Sequence, residues 1–362
     1  MGDFAFMIHP LDVSDIYRKF PFAQKLPDRL VEKALSWLPH LHISEITGIE
    51  SQYNRHKVGG WFIGCPLTAR QMVELNPSYV LKRIIKTGKY AEKLGAKILG
   101  LGAMTSVVGD AGITIARNLN IAVTTGNSYT VFTAIEGMKK AAQMIGTDWK
   151  KSEILIIGAT GSIGSVCART LARDCKFLTL LARDENKLEK LAQRIYYETG
   201  LAVRTSTIIK KAVQKADIIV AVSSAVTELI DPFDLKPGAI VCDVARPRSI
   251  SQQVARLRED VLVIEGGLIE IPGDVQFNFN FGYPPKLALA CMAETMILTL
   301  ERKWENYTLG RDLTIDQVEN IGQLAKKHGF KLAGFRSFER PVAEEQIKRV
   351  RNIKSVNSSQ AG

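Results

Sequence analysis

Gly158, Gly161 and Gly164 stand three residues apart, directly after the apolar run Ile154–Ile157 and before a helical pattern. That spacing suits a strand, a tight turn and a helix. The first glycine allows the turn, the second lets a pyrophosphate approach the backbone, and the third lets the helix pack on the strand. Helix N–H groups are then left aimed at phosphate, so Gly158, Thr160, Gly161, Ser162, Ile163 and Gly164 are the expected dinucleotide contacts. Strand Phe177–Leu181 follows, and Arg183 stands just beyond it, where arginine accommodates a ribose 2′-phosphate and an acid would bond the 2′-hydroxyl. Arg183 therefore points to NADPH, although Asp184 and Glu185 adjoin it and a shift in register would place an acid there. Val220–Ala225 closes a later strand in small residues, which makes Ser223 a further cofactor contact or a plain strand-end turn.

A cofactor site implies hydride transfer, and the reacting group has to be sought elsewhere. The Tyr-x-x-x-Lys pair occurs only as Tyr53 and Lys57, on the wrong side of the glycine loop, and there is no Gly-x-Ser-x-Gly elbow. Cys291 remains, among small residues behind Pro284-Pro285. A helix N-terminus favours thiolate, and a thiolate can accept an acyl group from another thioester. On composition alone the same cysteine reads as a buried core residue. Asn127 and Ser128, in Thr124-Thr125-Gly126-Asn127-Ser128, have side chains that suit substrate orientation or helix capping equally. Glu294 suits either the same cleft or a structural ion pair.

These residues need elements to hold them. Strands are expected at Phe4–Ile8, Ile43–Glu50, Gly60–Ile63, 97–101 and 121–124, with one or two helices over Thr68–Leu94 and a long helix over Tyr129–Ile145. From Ser152 the order β-α-β-α-β predicts a parallel sheet. The expected organisation is α/β: an N-terminal α/β substrate lobe (1–127), a connecting helix (128–150) and a doubly wound Rossmann lobe (151–283). C-terminal helices (284–335, the first over Lys286–Trp304) and a basic tail (336–362) with a disordered polar end follow. A ligand cleft between the lobes is the expected meeting place of cofactor and substrate.

Composition excludes several classes. The 362 residues are 46% apolar, ample for two cores. No apolar run approaches the roughly 20 residues that span a bilayer, and no secretory pattern opens the chain, so a cytoplasmic protein is expected. The five cysteines are scattered without C-x-x-C spacing, and His40-Leu41-His42 lacks a third ligand, so no metal centre is expected. The charge of +11, from 48 basic and 37 acidic residues, favours acidic partners. Lys82, Arg83, Lys86, Lys89, Lys93 and Lys97 form either a solvated helix face or a docking surface for an acidic protein or phosphate-bearing ligand; peripheral membrane contact stays open for the chain as a whole. No nucleic-acid-binding module accompanies the charge.

Five motifs occur together and in order: Thr124-Thr-Gly-Asn-Ser-Tyr-Thr130, Gly158-Ala-Thr-Gly-Ser-Ile-Gly164, Leu181-Ala-Arg183, Glu265-Gly-Gly267 and Ala288-Leu-Ala-Cys-Met-Ala-Glu-Thr-Met296. In this the chain resembles the long-chain acyl-[acyl-carrier-protein] reductases of cyanobacteria, from its first strand to Gly329-Phe330. The resemblance implies NADPH-dependent reduction of a fatty acyl thioester to an aldehyde, with Cys291 as the acyl-accepting nucleophile. It also implies acyl carrier protein, which is acidic, or acyl-CoA as the source of the acyl group. Two alternatives stay open: a shikimate-dehydrogenase-like enzyme acting on a small hydroxy acid, and a non-catalytic NADP(H)-sensing module.

Overall fold

The computed structural model describes residues 2–223, 230–245, 248–338 and 340–360. The chain divides into two compact units, the first comprising Met1–Tyr129, Ile269–Asp312 and Asn320–Lys331 and the second comprising Thr130–Leu268, Leu313–Glu319 and Leu332–Gly362.

The first unit is built on a six-stranded mixed sheet. Its strands are β1 (Phe4–Ile8), β2 (Leu41–Glu50), β3 (Lys57–Gly64), β4 (Ile98–Leu101) and β5 (Ala122–Thr124), with the Gly273–Gln276 strand at one edge. From that edge the order runs Gly273–Gln276, β2, β3, β1, β4, β5. β1, β3, β4 and β5 are mutually parallel, while β2 and the edge strand pair antiparallel. β1 and β4 are apolar throughout because both faces are covered, as expected of inner parallel strands. The stretch expected to form one or two helices forms two, Ala69–Glu74 and Pro77–Lys93. Pro77 cannot continue a helix but suits the first position of a new one, and Asn76 caps it by accepting the Ser78 N–H at 2.9 Å.

The second unit holds a six-stranded, wholly parallel sheet of β6 (Glu153–Ile157), β7 (Phe177–Leu181), β8 (Arg204–Ser206), β9 (Ile218–Ala221), β10 (Ile240–Asp243) and β11 (Leu262–Glu265). The order is β11-β10-β9-β6-β7-β8, the doubly wound dinucleotide-binding order with its switch point between β6 and β9. The α/β class and the Rossmann sheet are as the sequence predicts.

Three expectations need correction. The helix expected over Lys286–Trp304 runs only over Ala290–Leu300, preceded by a short strand at Leu287–Leu289. Lys286 takes a positive φ of 66°, which no α-helix accommodates, so Pro284-Pro285 cannot open this one. The Gly273–Gln276 strand falls in the stretch assigned to the Rossmann lobe, yet it pairs with β2 of the first sheet. The C-terminal stretch expected to be a basic tail ending in disorder forms helix Glu344–Gln360, whose Ile347 and Val350 are buried in the second unit's core.

Candidate functional site

In the second unit the glycine loop sits at the C-terminal end of β6, at the switch point. Gly158 has a φ of 84°, and its N–H and that of Ala159 both bond the Leu181 carbonyl, at 2.9 and 3.0 Å. A Cβ on Gly164 would lie 2.2 Å from the Gly158 carbonyl oxygen, so only glycine lets the helix close on the turn. A Cβ on Gly158 would lie 3.0 Å from the Cα of Ser223. Ser223 therefore lies against the loop across the switch point, while Ser224 and Ala225 lie outside the described residues.

Helix Ser162–Leu171 starts after Gly161 with no capping side chain, leaving its first turn suited to an anion. Thr160 and Ser162 are half-buried beside it, and Ile163 packs partly against the core. Arg183 is exposed after β7. Asp184 is committed elsewhere: it caps helix Glu185–Thr199 by accepting the Lys187 N–H at 3.1 Å, which holds its carboxyl below the usual range. The loop has the backbone openings and uncapped helix that a dinucleotide's pyrophosphate needs.

The first unit carries the thiol. Of the five cysteines, Cys291 alone is half-exposed. Burial pushes the thiols of Cys65 and Cys167 up to about 12 and that of Cys175 to about 11, so these three are inert at neutral pH. Because its helix begins at Ala290, Cys291 falls in the first turn, where the helix dipole most favours a thiolate. The turn Thr124–Ser128 lies directly on it. Gly126, at a φ of 74°, brings its backbone so close that a Cβ there would lie 2.3 Å from the Cα of Cys291. The next helix, Asn127–Met144, starts at this turn, with Asn127 and Ser128 both buried.

One turn along from Cys291, Glu294 is fully buried. Oε1 accepts the Thr124 hydroxyl at 2.5 Å and the Thr308 hydroxyl at 2.8 Å. Oε2 accepts the Ser128 hydroxyl and the Tyr129 N–H, both at 2.8 Å. Among the described residues no cation pairs with it, so the ion pair considered from the sequence is replaced by four hydrogen bonds. Such donors satisfy a buried carboxylate's lone pairs directly. They also tie the cysteine helix to the turn that touches Cys291.

The segment after that helix completes the arrangement. Asn306 accepts the Val123 N–H at 2.8 Å, the Tyr307 N–H bonds the Val123 carbonyl at 3.0 Å, and the Thr125 hydroxyl bonds the Thr308 carbonyl at 2.5 Å. The Tyr307 hydroxyl lies against Ser128 and Asn320. Burial, with Glu294 nearby, pushes it up to about 12 and keeps it protonated, although bonds to Ser128 and Asn320 pull the other way. Sequence reasoning missed Thr124, Ser128, Tyr129 and Thr308 as the partners of Glu294. Only the proximity of Thr124 and Tyr129 to Asn127 and Ser128 hinted at two of them.

Residues 140–265 match the shikimate/quinate 5-dehydrogenase family. The chain is 31% identical over 286 residues to the aminotransferase PigE of a Serratia species, covering 78% of this chain and 33% of that protein. It is 29% identical over 266 residues to the long-chain acyl-[acyl-carrier-protein] reductase of Synechococcus elongatus, covering 69% of this chain and 75% of that one. A glutamyl-tRNA reductase of Flavobacterium psychrophilum is 25% identical over 193 residues, 52% of this chain and 43% of that protein. The chain thus spans a third of the length of the first relative and three quarters of the second. With the parallel sheet and its glycine loop, these likenesses define an NAD(P)-dependent reductase or dehydrogenase fold of the oxidoreductase type.

Proposed function

We propose that the protein reduces a long-chain fatty acyl thioester to the aldehyde, using NADPH and an acyl-enzyme on Cys291. The observation that carries this reading is the seating of Cys291: half-exposed, in the first turn of a helix, and against the Gly126 backbone. The likeness to the Synechococcus elongatus reductase, over three quarters of that protein, supports it. PigE matches over only a third of its own length, so aminotransferase activity is no guide to this segment.

The Cys291 thiolate attacks the thioester carbonyl carbon, a new C–S bond forms, and the carrier thiolate leaves with a proton from solvent. NADPH held at the glycine loop would supply hydride to this acyl carbon, and Cys291 then serves as the leaving group, its C–S bond breaking to regenerate the thiolate. Asn127 and Ser128 hold the turn beside the thiol, with Ser128 acting through Glu294. Thr160, Ser162 and the glycine-loop backbone would hold the pyrophosphate, Arg183 the 2′-phosphate, and Ser223 the ribose side. The acyl donor is acyl carrier protein, whose acidity matches the chain's positive charge, or acyl-CoA.

Intact-protein mass spectrometry after mixing the protein with long-chain acyl carrier protein tests the reading. An acyl adduct on the wild type but not on Cys291→Ala, discharged as aldehyde when NADPH is added, is the expected result. A second reading, a dehydrogenase of a small hydroxy acid, is favoured by the shikimate/quinate 5-dehydrogenase match. It requires no adduct and full activity in Cys291→Ala.

A further inference from the structure

Six large apolar side chains protrude from residues 20–38: Phe20, Phe22, Leu26, Leu30, Trp37 and Leu38, with Phe22 70% and Trp37 75% exposed. They lie on or beside the turn Pro21–Lys25 and helix Asp28–Trp37 of the first unit. Asp12 and Asp15, just ahead of this stretch, and Asp28 and Glu32 within it are all hydrogen-bonded within the fold. Asp12 accepts the Ser14 N–H, Asp15 the Leu11 N–H and Asp28 the Tyr17 hydroxyl, while the buried Glu32 takes Thr68 and Arg70. Lys25, Arg29 and Lys33 face solvent, with Lys33 over the Trp37 ring at 5.7 Å.

This surface runs on into helix Pro77–Lys93. The Arg83 guanidinium donates to the Leu38 carbonyl, the Tyr79 hydroxyl reaches the Ser36 carbonyl at 3.5 Å, and the His40 and Tyr90 rings meet at 4.2 Å. On that helix Val80, Ile84, Gly88 and Ala91 are buried, while Lys82, Lys86, Lys89 and Lys93 are exposed. Steps of four, three and four residues align these lysines in one stripe. The helix's one acid, Glu92, turns aside to accept the Asn120 N–H. His40 registers the resulting field: burial first, then Lys86, Lys93 and Arg83, hold its ring below the usual histidine range.

We propose that this composite face seats the protein on an anionic phospholipid bilayer. Aromatic and aliphatic knobs beside a lysine stripe suit the headgroup boundary, where Trp and Phe rings enter the interface and ammonium groups meet phosphate. An acidic soluble protein would be matched by the lysines and would leave Phe22 and Trp37 in water. A second copy meeting the same face would bring two lysine stripes together. Among the described residues no helix is long and apolar enough to cross a membrane, so the contact is peripheral. The proposal is independent of the thioester chemistry.

Co-sedimentation of the full chain with vesicles of phosphatidylglycerol, and separately of phosphatidylcholine, tests it. Binding to phosphatidylglycerol should exceed that to phosphatidylcholine by roughly tenfold or more and fall as salt screens the charges. The quadruple change of Lys82, Lys86, Lys89 and Lys93 to Gln should remove the salt-sensitive binding. The pair Phe22→Ser and Trp37→Ser should weaken what persists at high salt. In the wild type, brominated phosphatidylglycerol should quench tryptophan fluorescence, a readout that needs no variant. Equal binding to both lipids, no quenching, or variants that sediment like the wild type would overturn the proposal. So would vesicle-free dimerisation abolished by the Phe22 and Trp37 changes, or capture of an acidic protein without vesicle binding.

Discussion

Glu294 shows how a single buried side chain can organise its surroundings through hydrogen bonds. Three hydroxyls and one backbone N–H converge on it, two donors on each oxygen. Glu294→Gln would turn an NH₂ group toward donors. A loss of about 2 kcal/mol in urea-induced unfolding is expected, as for a buried donor left without an acceptor. Arg183 is the residue for cofactor choice under the proposed reading. Arg183→Ser should raise the KM for NADPH by roughly 10-fold or more, the worth of a charge-assisted hydrogen bond, and leave that for NADH nearly unchanged. Equal loss with both cofactors in steady-state kinetics would assign Arg183 a structural role.

At the scale of elements, the decisive contact is between the Thr124–Ser128 turn and the start of helix Ala290–Leu300. Gly126 is strained for any other residue and has no room for a side chain. Gly126→Ala should therefore destabilise the protein by about 2 kcal/mol or more. It should also depress acyl transfer more than cofactor binding, read by comparing adduct formation with NADPH titration. Gly164→Ala makes the complementary case. Its Cβ would push the helix off the turn at Gly158, so NADPH binding should weaken while acyl-adduct formation on Cys291 persists.

For the whole molecule, stability should depend on pH through His9. Its Nε2 accepts the Met104 N–H at 3.0 Å and its Nδ1 bonds the Pro10 carbonyl at 2.9 Å, an arrangement that fits only the neutral ring protonated at Nδ1. Burial lowers its pKa from 6.5 to about 4, against a smaller opposing effect of the Pro10 bond. The folded pKa lies below the unfolded one, so this contribution is present above pH 6.5 and is lost as pH falls toward 4. It is worth about 2–3 kcal/mol. Denaturant unfolding of wild type and His9→Asn from pH 7 to 4 should show that extra loss in the wild type alone.

Much of this architecture was legible locally. Short apolar runs bounded by polar residues marked β1 and β7 to the residue, and Gly158, Gly161 and Gly164 between strand and helix marked the dinucleotide turn, because these features depend on local composition and backbone freedom alone. Tertiary structure decided the rest. The Gly273–Gln276 strand joined β2 because antiparallel pairing satisfies edge groups over more than two hundred residues of chain. Glu294 found Thr124, Ser128 and Tyr129 from more than 160 residues away, and no local pattern encodes a partner at that distance. Cys291 could be named from the sequence. Its place in the first helical turn, against Gly126, exists only because Lys286 adopts a left-handed backbone and delays the helix to Ala290.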